Sequence, residues 1–486
     1  MPVREDPTAA YRWRWVVLGA LLTAEAMNVL DSTIVQVAAP VIRAGLGGSE
    51  SAIQWFSSAY TLPFAAFLIL GGRLGDMLGR KRVFLIGIAG FTLASLCCAL
   101  ASGAGVLIGA RALQGTAAAL IIPQTIGLIR SMFAGAELAR AMSTIGPVMG
   151  LSVICGPMLG AVLTHADLFG SSWRAAFLVN VPLAVAVLAT APLLREDRAA
   201  RPPRVDLPGT GLAVLGAGLV VYPLIEGGDA VRPGWGAAML VAGILVLVAF
   251  GLHQRRRARR GRAPLVEPSL FGDRVFPAAL ATSTLLFAVT NGLMLVIVLQ
   301  VQLGLGRDVL TAGLTLLPWS CGLAISSAIV GARMTPRRLS RVMFAGLAVL
   351  FAGVLGALAA YAGAYPWPLL AALAVCGAGN GMVTVPFFTA ALARLHPHQV
   401  GSAAGLLNAV QQFGGTLGIA LLGSVFLHGL AGGSDANAAA ALAFGLGLVL
   451  LAATAVAAAF MRAPMDPAPA PERERAAAGE PSRSRH

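Results

Sequence analysis

This sequence is short of charge. Only 12% of its 486 residues are Asp, Glu, Lys or Arg, and Lys81 is the lone lysine among 35 cationic side chains. Soluble domains carry roughly 25% charged residues. So few polar side chains cannot cover a water-facing surface, which excludes a soluble globule as the main body of the chain. Cysteine is scarce as well. Cys97, Cys98, Cys155, Cys321 and Cys376 sit in apolar runs without metal-ligand spacing, so they read as small buried hydrophobes. The six histidines (His165, His253, His396, His398, His428 and His486) lie at loops and run ends. They form no metal set and stand near no clustered nucleophile, so no catalytic residue, cofactor or bound metal is expected. A cleavable signal peptide is not expected either. The first apolar run is about 25 residues long and carries Glu25 and Asp31, which is unlike an h-region.

What abounds is apolar sequence: 57% of residues are hydrophobic and the mean hydropathy is +0.80. Lipid is the solvent that fits. Membrane-spanning backbone must satisfy its polar groups internally, as helices or as a closed barrel. The apolar runs are about twenty residues long and do not alternate, so they read as helices. We count fourteen, beginning with 13–37 and 52–71 and ending with 438–461. The 58 glycines suit helices whose backbones approach closely. Arginine placement orients the bundle. With the N-terminus inside, 30 of the 35 Lys and Arg fall in cytoplasmic segments and 4 fall outside (Arg43, Arg174, Arg232 and Arg307), with Arg111 inside a span. That split is a positive-inside signature with both termini cytoplasmic. It also makes the basic run at 254–262 a membrane anchor able to touch anionic lipid, rather than a nucleic-acid site.

The most informative string is GRLGDMLGRK at 72–81, just after the second span. Gly72, Gly75 and Gly79 allow a tight turn and close helix contact. Asp76 can accept hydrogen bonds from Arg80 or from a helix N-terminus across a domain seam, and Lys81 extends the basic cluster. Such a network holds one conformation until something displaces it, and pseudosymmetry points Asp76 at the start of span 13, near Gly401 and Ser402. The string matches G-x-L-x-D-x-x-G-R-K, and through it the chain resembles the major facilitator superfamily. Three more strings agree. R-A-L-Q-G at 111–115 is similar to that superfamily's fourth-span element. G-P-M-L-G at 156–160, preceded by Gly150, resembles the exporter signature of the fifth span. L-D-S-T-I-V-Q-V-A-A-P at 30–40 looks like the first-span signature of the fourteen-span drug:proton antiporters, although that family usually has Asn at position 36 and Leu at 39. W-R-A-A-F-L-V-N-V-P at 173–182, D-L-P-G at 206–209 and P-L-V-E-P-S-L-F at 264–271 also look like that branch. In the second half only Gly331, Arg337 and Arg338 of the lock remain, with Thr335 in place of the acid.

The resemblance implies an all-α membrane protein of the major facilitator fold. A six-helix bundle would span 13–194 and a second 276–461. Two inserted helices would lie at 195–253, a basic cytoplasmic loop at 254–275, and cytoplasmic termini at 1–12 and 462–486, the latter disordered. It further implies a secondary active exporter of drugs, antibiotics or similar lipophilic small molecules in the plasma membrane, driven by protons through alternating access. A monomer needing no nucleic acid is expected, with the small-molecule substrate, protons and lipid as its partners. Proton-coupled export of a metabolite, amino acid or lipid shares every one of these features. Nutrient import is disfavoured by the fifth-span element, in which Gly150, Gly156, Pro157 and Gly160 form the expected exporter hinge.

Intramembrane charge is costly, so Glu25, Asp31 and Arg111 are candidates for proton coupling. At about 100° per residue, Glu25, Asn28, Ser32 and Gln36 fall within roughly 80° of one another, with Asp31 on the flank of this stripe. A polar stripe of this kind faces a water-filled cavity rather than lipid. Trp55, Tyr60, Gln114, Asn291, Asn408 and Gln412 are further candidates for lining that cavity. The alternative for each is a structural hydrogen bond between helices.

Overall fold

The computed structural model describes residues 11–167, 170–198, 205–227, 234–335, 338–362 and 367–461. The expected disordered tail, most of the N-terminal segment and Arg337 lie outside the described residues. Among the described residues, fourteen helical spans are long and apolar enough to cross a bilayer. The first six are α1 (Arg14–Leu46), α2 (Ser51–Leu78), α3 (Arg80–Ala99), α4 (Ala104–Met132), α5 (Gly135–Ala166) and α6 (Ser172–Ala189). Then follow α7 (Leu207–Glu226) and α8 (Trp235–Arg259). The last six are α9 (Val275–Gly304), α10 (Val309–Arg333), α11 (Leu339–Tyr361), α12 (Trp367–Leu392), α13 (Gln399–Ala431) and α14 (Ala436–Ala459). The count agrees with the sequence reading, but several helices overrun the apolar runs that announce them. Helix α1 continues through Pro40 to Leu46, and α2 continues through the 72–78 segment. Polar and basic residues at the membrane boundary remain helical because their side chains reach water while the backbone stays paired.

The string at 72–81 is therefore mostly helix rather than loop. Only Gly79 makes the turn, with φ +107°, a conformation that favours glycine. Gly75 instead lets α2 press on Gln124 of α4, whose side-chain amide donates to the Gly71 carbonyl at 2.8 Å.

Two bundles repeat one packing scheme. In the first, α2 packs on α4, α3 on α4, α1 on α5 and α6, and α3 on α6. In the second, α10 packs on α12, α11 on α12, α9 on α13 and α14, and α11 on α14. The same small residues set both. A Cβ at Gly115 would strike the Tyr60 carbonyl oxygen across α2–α4, and one at Gly377 would strike the Trp319 carbonyl oxygen across α10–α12. Gly160 meets Ile34 across α1–α5, and Gly418 meets the Ala288 carbonyl across α9–α13. Backbone-to-backbone approach of this kind drives association where lipid removes the hydrophobic force.

The bundles meet along two seams, α2 on α13 and α5 on α10. Both are fastened toward the arginine-poor end. Gln54 of α2 donates to the Ile419 and Ala420 carbonyls of α13, each at 3.0 Å, and Thr61 bonds Thr416 at 2.6 Å. Gln36 donates to the Asn291 carbonyl at 3.0 Å and Gln302 to the Val37 carbonyl at 2.8 Å. His165 at the end of α5 lies 3.4 Å from Asp308, which caps α10. At the other end, Gly146 and Gly150 of α5 and Gly401 and Gly405 of α13 have open space where a Cβ would project. The bundles are thus sealed at the arginine-poor end and apart at the arginine-rich end.

The inserted pair α7–α8 straps one seam. At the arginine-poor end Glu226 accepts from Trp55 Nε1 at 2.7 Å and from Ser51 Oγ at 3.1 Å, while Ser424 Oγ donates to the Leu224 carbonyl at 2.7 Å. One helix therefore grips α2 and α13 together. At the opposite end buried Asp206 caps α7 through the Gly209 N–H at 3.1 Å and holds His253, Gln254 and Arg257 of α8. Burial opposes ionisation of Asp206, but the hydrogen bonds from His253, Gln254 and Gly209, aided by the Arg257 charge, outweigh it and hold the carboxyl below its ordinary 3.8. A depressed folded-state pKa adds stability that is fully present above 3.8 and fades as pH falls through the folded-state value. Thermal melts of the detergent-solubilised protein should therefore show Asp206→Asn destabilised at neutral pH. The gap from the unsubstituted chain should close as the solution is acidified through that range; a gap unchanged with pH would contradict this account.

Candidate functional site

Fully buried in the first bundle is a network of five side chains from four helices. Arg111 of α4 points at Asp31 of α1, with Nη1 2.5 Å from Oδ2 and 2.7 Å from Gln114 Oε1. Gln114 Nε2 donates to Asp31 Oδ1 and to Ser95 Oγ of α3, both at 2.8 Å. Asn180 Nδ2 of α6 donates to Asp31 Oδ1 at 2.7 Å. Arg111 Nε donates to the Phe56 carbonyl at 2.9 Å, and its guanidinium lies 4.3 Å from the Tyr60 ring centre. Asp31, Arg111, Gln114, Asn180 and Ser95 are all completely buried. A cation in lipid-depth sequence has to be paired from within the bundle, and here it is.

The structure places several candidate residues away from the expected cavity. Asp31 turns inward to Arg111. Gln114 and Tyr60 are interior to the first bundle and not cavity-lining. Trp55 is held by Glu226 beside the α2–α7 contact rather than facing a central site. The i+3 step from Asn28 to Asp31 is enough to turn the aspartate off the polar stripe and onto the α3–α4–α6 side.

Glu25 stands differently. It is 5% exposed, lies beside Thr125 of α4, and has no basic partner among the described residues. One turn on, Asn28 has a buried Nδ2 without a hydrogen-bond partner. Ser32 bonds back to the Val29 carbonyl, and Gln36 reaches Asn291 of α9. The stripe from Glu25 to Gln36 thus runs toward the second bundle. On α13, Asn408 and Gln412 are half-buried, and Gln411 has an unpartnered buried Oε1.

The second bundle offers no matching charge. Counting back from the equivalent glycines Gly115 and Gly377 pairs Gln114 with Cys376 and Arg111 with Leu373, and both of the latter are buried. Among the described residues, charged side chains at mid-membrane are therefore confined to the first bundle.

The lock residues cluster at the arginine-rich end of the first bundle. Asp76 accepts from Arg80 at 2.9 Å, Arg80 also reaches Asp197 at 2.5 Å, and Lys81 Nζ donates to the Leu194 carbonyl at 2.7 Å. No hydrogen bond joins Asp76 to Gly401 or Ser402 among the described residues, as befits the open end of the seam. In α5, Gly156 abuts Thr33 and Gly160 abuts Ile34 of α1, while Gly150 is unpacked. Pro157 is buried, and its carbonyl lies 3.1 Å from where a Cβ of Gly313 on α10 would stand. Asn180, Ser95, Thr125, Asp206 and Glu226 were not singled out by sequence reasoning. Two of them carried a signal, Asn180 as the Asn of the V-N-V-P string and Asp206 as the first residue of D-L-P-G.

Removing one member of the buried pair leaves the other charged and unpaired, at a cost of roughly 3–5 kcal/mol. Asp31→Asn and Arg111→Gln are each expected to lower thermal stability markedly. The double variant should recover part of the loss, because two amides retain hydrogen bonds without the charges. Melting of all four proteins in detergent checks this; simple additivity of the two losses would contradict it.

The family profile described as Major Facilitator Superfamily matches residues 21–419. The "Probable actinorhodin transporter" of Streptomyces coelicolor is 43% identical, covering 89% of this chain and 76% of that protein. The puromycin resistance protein pur8 of Streptomyces alboniger is 36% identical over 85% and 82% of the two chains. The cephamycin export protein CmcT of Amycolatopsis lactamdurans is 34% identical over 84% of each. Among solved structures, an inward-facing bacterial homologue of the lysosomal transporter Spinster overlays with a TM-score of 0.65 at 17% identity, covering 93% of this chain and 97% of that one. That likeness is one of fold.

Proposed function

The chain belongs to the major facilitator superfamily, and we propose that it is a plasma-membrane exporter that expels an antibiotic or similar lipophilic small molecule in exchange for protons. The substrate class rests on relatives named for antibiotic export and resistance. The coupling rests on one observation: Glu25 is a buried carboxylate without a cationic partner, on the α1 face that leads to the other bundle. Asp31 and Arg111 neutralise each other's charge, so they position α1 against α4 and set the field at Glu25. The arginine-rich end faces the cytoplasm, with both termini, by the positive-inside argument.

Transport then proceeds by rocking. With the outer seal closed, substrate enters from the cytoplasmic side and Glu25 gives up its proton there. The seal of Gln36, Gln54, Thr61 and Gln302 parts, substrate leaves, and Glu25 takes a proton from outside. Protonation removes a charge that would otherwise cross the membrane uncompensated. One proton moving through 100 mV brings about 2.3 kcal/mol, enough for a substrate gradient above about tenfold.

A susceptibility panel should identify a drug whose toxicity drops on overexpression. With that drug, everted vesicles containing Glu25→Gln are expected to lose uncoupler-sensitive transport while the protein remains folded and abundant. Full proton-driven transport by this variant would refute Glu25 as the carrier. No membrane flux of any tested compound by the unsubstituted chain would refute export itself.

A further inference from the structure

The inserted helix α8 stands apart from the second bundle at the arginine-rich end. Only Gly243 and Gln254 of α8 are buried, and it packs mainly on α7 and on the short turn Pro268–Phe271. Two apolar grooves flank that turn. The larger, about 810 Å³, lies between α9 and α14 and is walled by Ala278, Ala281, Ala453, Val456 and Phe460. The smaller, about 360 Å³, is walled by Val248 and Leu252 of α8 with Val266 and Pro268. Phe271 lines both. Each groove has an arginine on its rim, Arg274 on the larger and Arg255 on the smaller. Both arginines are exposed, and neither guanidinium has a hydrogen-bond or ion-pair partner among the described residues.

The membrane boundary falls at these arginines. Arg274 immediately precedes α9, and Arg255 follows the point where the apolar run of α8 ends. The groove walls therefore lie on the hydrocarbon side and the guanidiniums at headgroup level. The larger groove also includes Asp273, whose carboxylate is offset by Arg394 at 3.5 Å. Arg256, Arg259, Arg260 and Arg262 add positive charge nearby.

We propose that this junction seats one anionic diacyl phospholipid, its phosphate on Arg255 and Arg274 and its two acyl chains in the two grooves. The occupant follows from charge complementarity and from the pairing of grooves. Acyl chains gain little by moving from bilayer into an apolar groove, so the chains set placement and the phosphate sets selectivity. Arginine engages phosphate oxygens through paired N–H donors. A zwitterionic headgroup brings its own cation into a region already crowded with arginine, which disfavours it. The lipid joins α8 to the second bundle where protein contacts are few.

Native mass spectrometry of the full chain in detergent tests this, with phosphatidylglycerol and phosphatidylcholine of identical chains as probes. One phosphatidylglycerol should be retained in preference to phosphatidylcholine. The pair Arg255→Gln/Arg274→Gln should weaken retention by about tenfold or more, as expected for losing charge-assisted phosphate contacts. The control pair Arg259→Gln/Arg260→Gln should leave it largely intact, and Ala281→Trp, which fills the larger groove, should weaken it. Equal retention of the two lipids by the unsubstituted protein would overturn the proposal without reference to any variant. Equal loss in the control pair would reduce it to diffuse electrostatics, and displacement by inorganic phosphate would reduce it to a bare anion site; either result overturns it.

Discussion

A guanidinium buried at mid-membrane has to be neutralised by its own bundle, and the Asp31–Arg111 pair is the constraint around which the first bundle is arranged. Arg111 cannot reach water, so Asp31 must turn inward from α1. Asp31 then needs its second oxygen satisfied, and Gln114 and Asn180 converge on it from α4 and α6. Ser95 completes the set from α3. Four helices are fixed by one ion pair. Replacing such a pair with apolar residues is often no less stable, so its retention is consistent with a role in positioning α1 and the lone carboxylate of Glu25.

Rigid bundles make rocking possible. Glycines 115, 160, 377 and 418 hold helices within each bundle at backbone contact, whereas the seam is fastened by a few amide and hydroxyl hydrogen bonds. Bonds such as Gln54 to the α13 carbonyls contribute about a kilocalorie per mole each, a scale that substrate and proton binding can offset. The inserted α7 grips both sides of one seam through Glu226 and Leu224. Outward opening must therefore release α7 from one partner, so the extra pair of helices is part of the seal rather than a passive addition.

Much of this was legible in the sequence. Span number follows from hydropathy, because lipid imposes length and internal hydrogen bonding on each helix. The strings around Asp76, Arg111 and Gly156 identified the family correctly. Side-chain facing was less legible. Glu25 and Asp31 read alike as intramembrane acids, yet six residues along a helix that turns about 100° per residue carry them to different neighbours. The stripe argument placed Asp31 at its flank without revealing that Asn180 would bond it or that Ser95 would hold Gln114 and Asn180 in place, since those partners come from other helices. Gly72, Gly75 and Gly79 read together as turn and contact residues, and the two roles fall on different glycines, contact on Gly75 and the turn on Gly79, because the apolar run ends before the helix does. Trp55 read as a candidate for lining the cavity, but its partner Glu226 lies on an inserted helix whose docking has no sequence signature.

The central claim is that Glu25 couples protonation to rocking of two rigid bundles. It is tested most directly by spin-label distances across the arginine-poor end, between labels at Ser49 and Gly433, in the reconstituted protein with substrate present. Raising the pH should lengthen this distance, while a label pair within the first bundle stays fixed, and Glu25→Gln should abolish the response. A distance that ignores pH, or one that responds equally in Glu25→Gln, would contradict the account.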